Sequence, residues 1–158
     1  MKKFLAVFAA LVFLTPVASF AAEPLAGMPP LLSQNDIYAA DRPNHLSEVV
    51  KNYPKIAYVP NFSGNSLTEI DIATRKVIAT YKMKRGPQHV VPSWDLKTLW
   101  VNNNAGNYLT PINPANGKPG KPIHVQDPYN LYFTPNGKYA VVMAEAIKQL
   151  VFRDPHTM

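Results

Sequence analysis

Four histidines, His45, His89, His124 and His156, are the side chains best suited to ligate, shuttle protons or bond a ligand near neutral pH. No two of them stand at i, i+2 or i, i+4, and no H-E-x-x-H motif occurs, so the sequence spells out no local metal site. His89 has the most suggestive context. It follows Arg85-Gly86-Pro87-Gln88 at the head of a short apolar run. An imidazole there can ligate a cofactor iron, pass a proton or bond a ligand. Arg85 beside it offers a planar fork for a carboxylate or phosphate. The plainer reading is a strand-end histidine bonded to backbone or water, beside a surface arginine. His89 and Arg85 are therefore the two candidate binding residues, and no residue is assigned a catalytic or metal-ligating role.

The carboxylates point elsewhere. Asp71, Asp95, Asp127 and Asp154 all fall among turn residues, and their recurrence in register argues for turn capping over acid–base work. Acid–base catalysis needs two carboxyl groups whose environments separate their pKa values, and the sequence indicates no such pair. Phosphate-binding and nucleophile-elbow motifs of the types G-x-x-x-x-G-K-[ST], G-x-G-x-x-G and G-x-S-x-G are absent. With no Cys, thiolate zinc sites, iron–sulfur clusters, thiol catalysis and covalent haem attachment through C-x-x-C-H are excluded. Trp94, Trp100, Tyr108, Tyr129, Tyr132 and Phe133 sit at strand positions, where packing is the default role.

The chain has 158 residues, a formal charge of +6, 16 Pro and 7 Gly. Its positive residues are scattered, with one small cluster at Lys82, Lys84 and Arg85, so no nucleic-acid partner is expected. Residues 1–21 read as a cleaved signal peptide. Lys2 and Lys3 precede an apolar run from Phe4 to Leu14, and Ser19-Phe20-Ala21 fits a small-x-small cleavage site. That run is too short for a membrane span, which needs roughly 20 residues. The reading implies a periplasmic or secreted protein with no membrane span in the mature chain. Residues 22–54 form a Pro-rich N-terminal lead that packs across the domain or supplies a closing strand. Leu46 to Val50 within it suits a helical turn or a strand.

From residue 55 to 158 the sequence repeats itself. Asp71, Asn113 and Asp154 recur at spacings of 42 and 41 positions, each followed three residues later by Thr or Asn. Gly64-Asn65 matches Gly106-Asn107, and Leu67-Thr68 matches Leu109-Thr110. "GPQHVVPSWDLKTLWV" aligns with "DPYNLYFTPNGKYAVV", so that Ser93, Asp95 and Lys97 meet Thr134, Asn136 and Lys138. Within a unit, strands are expected at Leu99–Asn102, Tyr108–Ile112, Ile123–Val125 and Tyr129–Phe133. Four strands in about 42 residues is the size of one β-propeller blade. The segment Asp95 to Gly120 is then read as the end of one blade's turn and the first half of the next. The fold class is all-β, a β-propeller of four-stranded antiparallel blades. About two to three blades are present, fewer than the roughly 4–8 of a closed ring, so the chain reads as an N-terminal fragment, incomplete at its C-terminus.

"AYVPNFSGNSLTEIDIATRKVIATYKM", Ala57 to Met83, resembles the YVTN-type β-propeller repeat, through Tyr58, Val59, Asn61, Asn65, Leu67, Ile70, Asp71, Ala73, Thr74 and Lys76 to Thr80. "GPQHVVPSWDLKTLWVNN" resembles the connection between repeats of that family, through Gly86, Pro87, Ser93, Asp95, Lys97, Leu99, Trp100, Val101 and Asn103. The resemblance implies an exported seven-bladed propeller. It is similar in turn to the haem d1-binding propeller of periplasmic nitrite reductases, the heavy chain of methylamine dehydrogenase and surface-layer propellers. Two functions follow as expectations. One is a non-enzymatic binding or scaffold module, with a protein or small-molecule ligand at the channel mouth. The other is a redox-related subunit that binds a d1-like haem through His89 and Arg85, or pairs with a quinoprotein or cytochrome partner. Two departures from the pattern bear on the loops. Trp94 and Leu96 replace Pro and Gly of the S-P-D-G-K turn, which predicts a wider turn. The tip Ala144 to Lys148 lacks Gly-Asn, which predicts a longer or differently shaped loop.

Overall fold

The computed structural model describes residues 31–33, 35–36 and 38–158. The described residues form three antiparallel sheets. The first holds β1 (Ile56–Asn61), β2 (Ser66–Asp71) and β3 (Lys76–Lys82). The second holds β4 (Pro87–Pro92), β5 (Leu99–Asn103), β6 (Tyr108–Ile112) and β7 (Ile123–His124). The third holds β8 (Asn130–Phe133), β9 (Ala140–Ala144) and β10 (Gln149–Arg153). Each sheet is an up-and-down meander. β4 lies against both β1 and β8, which sets the sheets face to face.

The strand period of two explains how one short strand serves two interfaces. In β5, Leu99 and Val101 point to the first sheet and Trp100 to the third. The seam between the first and second sheets is built from Leu67, Met83, Val101 and Ile112, with Tyr58, Tyr81 and Val90 at its margin. The seam between the second and third is built from Trp100, Leu109, Val125, Leu131, Ala140, Val142 and Met158. Fully burying one such aliphatic side chain stabilises by about 1.5–3 kcal/mol. These two seams are the core, and the all-β propeller architecture expected from the repeat is the one observed.

The boundaries between sheets differ from the expected ones. Asp95 to Gly120 lies entirely inside the second sheet, as a turn, β5, β6 and the start of the passage to β7, rather than across two blades. The strand expected to complete a blade at Tyr129–Phe133 is β8, and it opens the third sheet by pairing with β9. The cause is local. Asp127 takes a φ of 46° and Pro128 follows it, so the chain turns out of β7 before β8 begins. Gly86, at a φ of 64°, and Pro87 do the same between β3 and β4.

Both expected loop departures are absent. Leu96 takes a φ of 60° where its counterpart Gly137 takes 67°, and the two turns are otherwise the same. Ser93 N–H donates to Thr98 O at 2.8 Å, and Thr134 N–H to Tyr139 O at 3.0 Å. Lys97 N–H donates to Asp95 Oδ1 at 3.1 Å, and Lys138 N–H to Asn136 Oδ1 at 3.0 Å. The Asx and hydroxyl bonds set the turn's width, so Leu96 is carried into the left-handed region at a cost of about 1–3 kcal/mol. Trp94 has its own use. Its indole Nε1–H donates to Pro135 O at 3.0 Å, and its ring covers Gly137, clasping the second sheet to the third. The tip after β9 also keeps the common form. Asn65, Asn107 and Lys148 all close four-residue hairpin loops with φ values of 50°, 60° and 56°.

Among the described residues before Ile56, no strand forms. The lead instead makes turns, with a single 3-10 turn at Ala39–Asp41 and ion pairs Arg42–Asp36 and Lys51–Glu48. The expected signal peptide lies outside the described residues. Among the described residues, no helix is long and apolar enough to cross a membrane.

Candidate functional site

The two candidate residues flank the turn that starts β4. Gly86 must approach its neighbours closely: a Cβ there would lie 2.7 Å from the Ala105 Cβ and 3.0 Å from the Phe62 ring. Its N–H donates to Asn65 Oδ1 at 2.9 Å, which pins the start of β4 to the first sheet. The same device recurs one sheet later, where Asp127 N–H donates to Asn107 Oδ1 at 2.8 Å. Hence an Asn at the left-handed hairpin position fixes where the next inner strand begins.

His89 projects from β4 toward the third sheet. Its Nδ1 lies 2.7 Å from Tyr129 O, and its ring meets the Tyr129 ring edge-on at 5.3 Å. A carbonyl oxygen only accepts, so Nδ1 carries the proton. In the neutral imidazole, Nε2 is then the lone-pair nitrogen, free to accept a hydrogen bond or ligate a metal. A bulge between Pro87 and His89 re-aims this part of the strand. Across the strand pair, His89 faces Asn102, whose amide is fully buried with neither N nor O partnered. Arg85 is exposed, and its Nε donates to Ala105 O at 3.0 Å. Among the described residues, its guanidinium meets no carboxylate. Thus each candidate is anchored by a backbone carbonyl of a different neighbour, and each keeps unused polar capacity.

Further basic groups lie near the same end of the sheets. Lys84 Nζ sits 4.8 Å from the Tyr108 ring centroid, and His124 packs edge-on against that ring at 5.5 Å. A cavity of about 390 Å³ opens beside them, lined by Lys82, Met83, Lys84, Thr110, Pro119, Gly120 and Pro122. His45 and His156 lie apart in the lead and in the turn after β10. Among the described residues, no group of three or more His, Asp or Glu is arranged around a possible metal position.

The aspartates are held in turns. Asp71 Oδ1 accepts Thr74 N–H at 2.6 Å, and Asp154 Oδ1 accepts Thr157 N–H at 2.7 Å. These Thr bonds hold both carboxyls below the usual carboxylate range, and the Ser93 hydroxyl does the same for Asp95. Asp127 Oδ2 accepts Ala146 N–H at 2.6 Å, tying β8's approach to the third hairpin.

One carboxylate escaped the sequence reading. Glu69 is only 3% exposed, and its Oε1 has no hydrogen-bond partner. It points into the first seam, where a Cβ on Gly117 would lie 2.3 Å from Oε1. Burial pushes its pKa up, and burial with the Glu69 charge pushes the nearby Tyr58 phenol up to about 12. The signal was present in the sequence: strand alternation places Glu69 on the same face as Leu67.

No family model and no curated protein matches the chain. Solved structures do. One is hydrazine synthase of Kuenenia stuttgartiensis, at a TM-score of 0.50 and 21% identity over 67% of this chain and 37% of that one. Another is the dihydro-haem d1 dehydrogenase NirN in complex with DHE, at a TM-score of 0.52 and 16% identity over 66% of this chain and 23% of that one. This chain therefore spans well under half the length of either. Identity at this level speaks for architecture alone. Together with the three face-packed meander sheets, it makes the chain a portion of a β-propeller.

Proposed function

We propose that this chain is an exported β-propeller module of the YVTN type that binds a ligand or protein partner at the channel mouth. The observation that carries the reading is the head of β4. There Arg85 presents an exposed guanidinium and His89 keeps Nε2 free, while backbone carbonyls fix both side chains. A planar fork and a fixed imidazole favour a partner group bearing a carboxylate or another hydrogen-bonding anion.

A second reading has its own support. Ligating histidines commonly donate their other ring N–H to a carbonyl, which fixes the tautomer and ring orientation. The His89 Nδ1 contact with Tyr129 O has that form. In this reading His89 and Arg85 would hold a d1-like haem, which would supply redox chemistry. One experiment separates the two. The protein is purified from the periplasm of its native host, and its visible spectrum is recorded before and after adding haem. A Soret band with red-region absorption, lost in His89→Ala, overturns the plain binding module. A colourless protein that takes up no haem overturns the redox reading.

A further inference from the structure

The first two sheets share a ladder of polar side chains, and in the second sheet the ladder breaks. In the first, Asn61 Nδ2–H donates to Thr68 Oγ1 at 2.9 Å, and the Thr68 hydroxyl lies 3.4 Å from that of Thr80 on the next strand. In the second, Asn103 Nδ2–H donates to Thr110 Oγ1 at 2.8 Å. That bond occupies a lone pair of the hydroxyl, so the Thr110 proton needs an acceptor elsewhere. Thr80 stands directly opposite Thr68. In the second sheet the pairs Tyr108–His124 and Leu109–Ile123 bring Pro122 to the corresponding place beside Thr110. Proline carries no hydroxyl, and among the described residues the Thr110 hydroxyl only accepts.

A second irregularity opens space at the same point. Between the Leu109–Ile123 pair and the Ile112–Pro119 bridge, residues 110–111 of β6 run beside residues 120–122, one residue more. Gly120 N–H donates to Pro111 O at 2.7 Å, so the extra residue is pushed off the strand. The cavity of about 390 Å³ lies here, lined from the end of β3, from β6 and from the passage to β7. Thr110 is its most buried polar residue, at 3% exposed. Lys82 and Lys84 are exposed at its margin, Met83, Pro119 and Pro122 give it apolar walls, and no Asp or Glu lines it. The Lys84 ammonium is steadied by the Tyr108 ring. A buried hydroxyl donor with two ammonium groups and no carboxylate suits an oxyanion. The volume and the apolar walls suit a small molecule rather than a bare ion.

We propose that this cavity binds a small organic oxyanion, a phosphate or carboxylate carried on an apolar body. One anion oxygen accepts the Thr110 proton, and Lys82 and Lys84 balance the charge. The apolar body lies against Met83, Pro119 and Pro122. The site is separate from the head of β4, where His89 turns to Tyr129 across the other seam.

The test is isothermal titration of the full chain with phenyl phosphate and with benzoate at low ionic strength. At least one should bind one-to-one, and the tighter of the two tells phosphate from carboxylate. Thr110→Val should weaken that binding by about tenfold or more, while Thr110→Ser keeps it. Pro122→Thr restores the hydroxyl pair of the first sheet, and should weaken binding without touching Thr110. Lys84→Met should weaken it by a few-fold and flatten its dependence on salt. His89→Ala should bind as the wild type does. Failure of both probes to bind overturns the proposal, as does wild-type affinity in both Thr110→Val and Pro122→Thr. Loss of binding in His89→Ala overturns it too, since the anion would then sit at the head of β4.

Discussion

The two seams share a backbone geometry and differ in their buried polar groups. Between the first and second sheets, the buried polar atoms without partners are Oε1 of the Glu69 carboxylate and Oδ1 of the Asn103 amide. Between the second and third they are both ends of the Asn102 amide, the Trp100 indole N–H and Arg153 Nε. Packing supplies most of the stability of both seams, and the buried polar groups set what each seam responds to. A buried carboxylate makes its seam pH-dependent. A buried amide does not titrate. The second seam is also the larger cluster, and His89 bridges it.

The largest effect expected is on the second seam. Leu109→Ala should destabilise by about 2–5 kcal/mol, since Leu109 is fully buried amid Trp100, Val125 and Leu131. Denaturant unfolding measures it. A loss below about 1 kcal/mol would mean that the sheets are not packed as described.

Next comes the first seam. Gly117→Ala drives a Cβ onto the Glu69 carboxylate at a φ of 72°, and should cost about 1–3 kcal/mol from the backbone alone. Glu69→Ala removes the collision, so the double variant should lose less than the two single losses combined. Strict additivity in that cycle would place Glu69 away from Gly117.

The pH response should separate the seams. The Glu69 pKa is raised in the folded chain, so the native state holds its proton longer than the unfolded state. Stability contributed by the protonated form is therefore lost as pH rises from its ordinary value of 4.5 toward the raised one. Asp71, Asp95 and Asp154 run the other way: their lowered values give stability that is lost as pH falls below 3.8. Glu69→Gln should remove the falling limb above 4.5 and leave the acid limb intact. Unfolding midpoints across pH check this, and an unchanged falling limb would exonerate Glu69.

The smallest effect expected is at the β4–β5 turn. Leu96→Gly relieves a left-handed leucine and should stabilise by up to about 1 kcal/mol, because lost burial offsets part of the gain. Thermal unfolding reads it, and a destabilised variant would mean that the Leu96 side chain outweighs the strain.

Much of the fold was legible because turn chemistry recurs with the period. Asp71, Asn113 and Asp154, and Asp95 with Asn136, do in the structure what Asx residues do in turns. The sheet boundary was less legible. Hairpin and inter-sheet turns use similar residues, and only the Asn65–Gly86 and Asn107–Asp127 bonds mark which is which. Leu96 and Lys148 keep the common turn form because the surrounding hydrogen bonds, rather than residue type, set the backbone there. Within the site, His89 and Arg85 were visible from their place before a strand. Alternation placed Glu69 on a buried face, but its isolation and that of Asn102 arise only when two sheets close on them.

His89 reaches across the second seam to Tyr129 O. Long-range proton–nitrogen correlation on protein labelled at its histidines reads the ring directly, at a pH where His89 is neutral. The expected result is a protonated Nδ1 and a bare Nε2, with the Nδ1 proton slow to exchange until Tyr129→Pro or unfolding disturbs the seam. A bare Nδ1 with the proton on Nε2 would contradict it.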